Sequence, residues 1–142
     1  MNRGYTNKGA RAWKRSGDLT RLIELQGSRW GKAVYVSFGV MLSDRIVTRV
    51  PPGSGEWDIS HRAESIESPY QEAFNRCAAD DEDQMKSEEM RRALQWLVEW
   101  MESGVLEPHR IRQALREEGS WTRRGLVRVR IKQWAARDEE SL

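Results

Sequence analysis

The sequence predicts an α+β fold: an antiparallel β-meander of three to four strands, packed on one face by C-terminal helices. Three observations predict it. Between residues 9 and 62 apolar side chains recur at period two, the spacing of a half-buried strand. From about 69 to 137 the period lengthens to that of amphipathic helices. Turn residues fall where these runs change. At 142 residues the chain reads as one α+β domain over 1–142, with the sheet at about 9–62 and the helical part at about 69–137.

Each element has its own warrant. "ARAWKRSGDLTRLIEL" reads as a hairpin turning at Ser16-Gly17-Asp18, with Ile23 and Leu25 on one face and Thr20, Glu24 and Gln26 on the other. "GSRWGK" makes the next turn, around Gly27 and Gly31. In the third run Val34, Val36, Phe38, Val40 and Leu42 alternate with Tyr35, Ser37, Gly39 and Met41, the mark of an antiparallel strand with one wet face. After a loop rich in Pro and Gly, Trp57, Ile59 and His61 suggest a short fourth strand. Ser68-Pro69 opens a short helix with Tyr70, Ala73, Phe74 and Cys77 on its apolar side. "ADDEDQ" reads as an acidic linker or the first turn of the next helix.

The main helix is "SEEMRRALQWLVEWMES". Ser87 caps it, Glu88 and Glu89 complement its dipole, and Gly104 ends it. Its stripe is Met90, Ala93, Leu94, Leu97, Val98 and Met101. Another helix starts at Pro108, with Ile111, Ala114 and Leu115 inward and Gly119 as its stop. Residues 126–136 fit a strand through Val127, Val129 and Ile131, or a helix through Val127, Ile131, Trp134 and Ala135; the helix is preferred.

Charge is distributed in blocks. Residues 1–50 carry ten Lys/Arg against three Asp/Glu, 51–107 carry five against fourteen, and 108–142 carry nine against five. Folding can neutralise the blocks against one another, or the first can remain as a steering surface. No apolar run approaches the roughly 20 residues of a membrane helix, and no hydrophobic segment follows the basic start, so a cytoplasmic, bacterial-type protein is expected, with no membrane partner. A single cysteine, Cys77, excludes an internal disulfide and reads as a core thiol.

Spacing removes several chemistries. "GSRWGKA" leaves only three residues between Gly27 and Gly31, and Ala33 follows Lys32 where a phosphate loop needs a hydroxyl. "GSGEW" lacks the third glycine of a dinucleotide motif. His61 and His109 have no partner at helical metal-ligand spacing. No metal, cofactor or catalytic residue is therefore assigned. An enzyme-like alternative survives in Asp18, Glu24 and Gln26, which imitate the carboxylates and polar side chain of a metal-dependent nuclease.

The leading expectation is a small non-enzymatic bacterial protein-binding module, immunity- or inhibitor-like, whose partner is another protein. Its candidate binding residues are Glu24, Gln26, Ser28, Arg29, Trp30, Ser37 and Arg62. Arg29 and Trp30 stand at the tip between the two best strands, and Arg and Trp are common interface anchors. The alternative is nucleic-acid binding by the C-terminal segment, through Trp121, Arg123, Arg124, Arg128, Arg130 and Trp134, where aromatics would stack on bases between phosphate-binding arginines.

"GYTNKGARAWKRSGDLTRLIELQGSRWGKAVYVSFGVML" followed by "WDISHRAESI" resembles the bacterial domain-of-unknown-function family 4304 over about the first half of the chain. Gly4 and Tyr5, Gln26 and Ser28, Tyr35 and Gly39, and Arg62 carry the resemblance. It implies an α+β fold with an antiparallel sheet and brings no catalytic residues. Such proteins usually have a helix before the Gly-aromatic start. If it is absent here, helices between 87 and 137 are expected to cover part of the apolar sheet face.

Overall fold

The structure, a computed structural model, describes residues 4–27, 31–79, 82–116 and 126–140. Alternating side chains build the sheet from β1 (Thr6–Lys8), β2 (Arg11–Ser16), β3 (Leu19–Gly27), β4 (Val34–Leu42), β5 (Ile59–Arg62) and a two-residue β6 (Leu126–Val127). Neighbours in sequence pair antiparallel throughout, in the order β1-β2-β3-β4-β5-β6. The meander is thus five strands plus a short sixth, not three to four. β1 escapes the sequence pattern because its three residues are all polar and exposed. Gly17 turns the β2–β3 hairpin at φ 65°, a region that costs glycine little.

The helices are α1 (Gln71–Ala78), α2 (Glu82–Met85), α3 (Glu88–Trp100), α4 (Pro108–Arg116) and α5 (Val129–Glu140). Ser87 caps α3 as expected, its hydroxyl accepting from the Met90 N–H at 3.1 Å. The helix leaves α geometry at Met101 for a π-helical turn, Met101–Val105, earlier than Gly104. The expected stop of α4 at Gly119 lies outside the described residues. The segment expected to be helical over 126–136 splits: Leu126–Val127 pairs with β5, and the helix begins at Val129. Among the described residues no helix is long and apolar enough to cross a membrane.

Register decides what each face buries. Pairing Ile23 with Phe38, and Phe38 with His61, puts Ala12, Leu19, Ile23, Val36, Phe38, Val40 and Ile59 on one face, under the helices. Met90, Ala93, Leu97, Val98 and Met101 of α3 and its following turn meet them, with Phe74 and Cys77 of α1 and Ile131 of α5. Burying each large side chain contributes about 1.5–3 kcal/mol. Trp96 and Trp100 stack at 6.0 Å, and Trp100 meets Phe38 edge-on at 5.4 Å. Two cations share this inner face and are paired there: Lys14 with Glu102 at 3.1 Å, and Arg21 with Glu107 at 2.7 Å. Both pairs join the basic first block to the acidic second, so the blocks neutralise each other in part.

The outer face is also partly covered, by the loop over residues 43–58. Trp57, fully buried, crosses to this side and packs with Leu22 and Met41, flanked by Trp13 and Ile46. It therefore does not share a strand face with Ile59 and His61. Asp58 anchors the loop: its carboxylate accepts from the Leu42 N–H at 2.8 Å and from Arg45 at 2.7 Å. The Trp57 indole donates to the Pro52 carbonyl at 2.9 Å.

Candidate functional site

Strand pairing lines up Lys8, Arg11, Glu24, Ser37 and Arg62 as one row across β1 to β5. Residues directly opposite in a sheet share a face, so this polar row belongs to the outer face. The sequence expectation that Glu24, Gln26 and Ser37 stand together on the side opposite Val36 agrees with this register, which adds Arg62 to them. Ser28, Arg29 and Trp30 lie outside the described residues.

The row is not uniformly wet, and here the expectation is corrected. Glu24 is 6% and Ser37 4% exposed, because the loop climbs over them. The Glu24 carboxylate accepts from Arg11 Nε at 2.8 Å and from the Ser54 hydroxyl at 3.0 Å. Arg11 also donates to the Pro51 carbonyl at 3.2 Å. Gly53 lies so close that a Cβ there would sit 3.2 Å from both the Arg11 guanidinium and the Glu24 carboxylate. A buried charge held by a cation and a hydroxyl pins the loop; it is spent on structure.

Beside this pin opens a cleft of about 650 Å³ between the β1–β2 turn, the end of β3 and the loop, with Lys8, Arg11, Gln26, Ser54 and Glu56 on its walls. Beyond the loop, where β3 ends and β4 begins, none of the described residues closes the face over Gln26. Gln26 is exposed and stands opposite Tyr35. The Arg62 guanidinium lies 3.9 Å from the centre of the Tyr35 ring, a cation–π contact. Its side chain remains 53% exposed, with Glu64 only loosely paired at 4.0 Å. Sequence reading missed Tyr35 as a site residue, although its place in the Val34–Leu42 alternation puts it on this face.

His61, one residue before Arg62, points to the other side. It stacks on Phe38 at 5.7 Å, and burial pushes its pKa down, favouring the neutral ring. It is a core residue.

The nuclease-like set is not brought together. Asp18 lies in the β2–β3 turn, which about 17 Å of strand from Leu19 separates from Glu24, and the Asp18 carboxylate accepts the Trp134 indole N–H at 2.7 Å. Among the described residues no group of three or more His, Cys, Asp or Glu is placed to hold a metal ion.

The C-terminal candidates are dispersed too. Trp134 is 5% exposed, bonded to Asp18 and covered by the Arg112 guanidinium at 3.9 Å, so its faces are not open to a base. Arg128 donates to the Trp57 carbonyl at 2.8 Å and to the Gly55 carbonyl. Arg130 lies 3.5 Å from Asp44. Trp121, Arg123 and Arg124 lie outside the described residues. Cys77 is buried, its sulfur 3.8 Å from that of Met85, a core thiol. Comparison with protein families, characterised proteins and solved structures finds no match for this chain.

Proposed function

We propose that this chain is a small non-enzymatic protein-binding module of bacterial, cytoplasmic type, acting in the manner of an immunity protein or inhibitor. The observation that carries the reading is the Arg62–Tyr35 cation–π pair, with the arginine half exposed, on the outer face of the sheet. Tyr and Arg are, with Trp, the side chains enriched at binding hot spots, and a pair already in contact loses less rotamer freedom when a partner arrives. The buried acid of the row that ends at Arg62, Glu24, is engaged by the loop, so the face supports contact better than acid–base chemistry.

The test is calorimetric titration against the proteins encoded by neighbouring genes. Tyr35→Ala combined with Arg62→Ala is expected to weaken the complex by at least about tenfold, 1.4 kcal/mol, with an unchanged melting temperature. An unaltered affinity would remove this face as the interface.

A second reading, nucleic-acid binding, is favoured by one observation. Arg130, Gln133 and Arg137, at one-face helical spacing on α5, line a cavity of about 360 Å³ with Asp44 and Leu42. Affinity for an oligonucleotide that falls steeply with salt, and that weakens in Arg137→Ala, would favour it.

A further inference from the structure

We infer that the Arg62–Tyr35–Gln26 cluster receives a carboxylate side chain from an acidic polypeptide segment of the partner. The inference rests on the protein-binding reading and adds the chemistry of the partner to it.

Charge complementarity is the first argument. Residues 1–50 carry three acids, and each has a partner within the fold, although Asp44 stays 77% exposed. Asp18 accepts from Trp134, Glu24 from Arg11 and Ser54, and Asp44 lies beside Arg130. Two of the half's cations, Lys14 and Arg21, are consumed against Glu102 and Glu107, but Lys8, Arg15 and Arg49 stand exposed. The field that this half presents to solvent is positive, and it steers an acidic partner.

Local geometry gives the second. The Arg62 guanidinium carbon lies 3.9 Å over the Tyr35 ring and its side chain is 53% exposed, with Glu64 no closer than 4.0 Å, so its fork can take a planar, bidentate acceptor such as a carboxylate. Gln26 stands on β3 directly opposite Tyr35, within reach of the same ligand with an amide donor.

A nucleic-acid strand fits this cluster less well, because it needs cations repeated along its backbone. From Arg62 the row runs to Ser37, then to buried Glu24, and reaches Arg11 only after three strand spacings, about 14 Å. Glu56 adds a negative charge on the cleft wall. An isolated fork interrupted by acids suits single carboxylates.

The experiment is fluorescence anisotropy with fluorescein-labelled poly-L-glutamate at low and physiological ionic strength, with unlabelled poly-dT of equal charge as competitor. Arg62→Lys keeps the charge but loses the fork, so it is expected to weaken binding about as much as Arg62→Ala, fivefold or more, a loss that bulk electrostatics would not produce. Arg91→Ala, remote on α3, serves as the control and is expected to leave affinity unchanged. The inference is overturned by absent binding, by Arg62→Lys behaving as the native chain, or by poly-dT displacing the probe more effectively than free poly-L-glutamate does. Titration of Arg62→Ala against the neighbouring-gene proteins separates the two levels. If that complex weakens while poly-L-glutamate fails to bind, the carboxylate assignment falls and the binding module stands. If neither responds, both fall.

Discussion

Trp134 donates its indole N–H to the carboxylate of Asp18 at 2.7 Å, joining α5 to the β2–β3 turn across 116 residues. The bond takes one residue from each of two candidate chemistries, a nuclease-like carboxylate and a base-stacking tryptophan, and makes both parts of the scaffold. Asp18→Ala would leave a buried indole N–H without its acceptor, at an expected cost of about 1–3 kcal/mol. Asp18→Asn retains an amide oxygen and should lose less. Urea denaturation of the two variants checks the order; equal midpoints for both and the native chain would refute it.

Gly39 sits beneath Trp57 and against β5. A Cβ at this position would lie 1.9 Å from the Ile59 carbonyl oxygen and 3.1 Å from the Trp57 ring. The first contact is with backbone, so a rotamer change cannot relieve it; β5 must move away from β4. Gly39→Ala is therefore expected to cost more than about 3 kcal/mol, in the range of severe core disruption. Gly27→Ala, where a Cβ meets nothing within 4 Å among the described residues, should stay close to native. Thermal melting of the pair provides the measurement.

The parts of this fold legible in sequence are those with a local cause. Period two in Val34–Leu42 specifies both a strand and its buried face, and Ser87 before Glu88 and Glu89 specifies a capped helix start. Glu24, Gln26 and Ser37 were assignable to one face on the same ground. What hides Glu24 and Ser37 is a different kind of event. Residues 43–58 fold back over the sheet, held by Asp58, Arg45 and the Trp57 cluster, and no periodicity records a loop's landing place. β6 is equally illegible, since two residues are too few to show a period and pairing with Ile59 and Ser60 makes them a strand. Arg21 lies among apolar residues on the inner face, paired with Glu107, 86 residues away, a partner that no local pattern indicates.

Glu24 provides a test of whether the polar row holds the loop. Glu24→Ala removes the acceptor shared by Arg11 and Ser54. Breaking a fully buried pair costs about 3–5 kcal/mol; Arg11 is 38% exposed and can be rehydrated, so about 2–3 kcal/mol is expected. Glu24→Gln keeps an oxygen for Ser54 and should recover part of this. Protease cleavage within 50–57 should accelerate in the alanine variant, and cleavage at the native rate would show that the Trp57 cluster alone retains the loop.

The dependence of stability on pH should have two limbs, each from one aromatic side chain. Burial lowers the pKa of His61 below its ordinary 6.5, so the unfolded state binds the proton more readily. Stability then falls as the solution is acidified from about pH 6.5 towards the folded value, and is insensitive to this group above about pH 6.5. Tyr5 gives the opposite limb. Its phenol is pushed up to about 12, chiefly by burial, with Arg21 opposing and Glu102 reinforcing the rise. The folded state therefore holds this proton longer, and stability is lost between about pH 10 and 12. His61→Phe, which keeps a ring against Phe38, should flatten the acid limb. Tyr5→Phe should flatten the alkaline one and remove a buried hydroxyl without a hydrogen-bond partner among the described residues. Urea midpoints across pH 5 to 11 measure both limbs; an acid slope unchanged in His61→Phe would assign it to carboxylates instead.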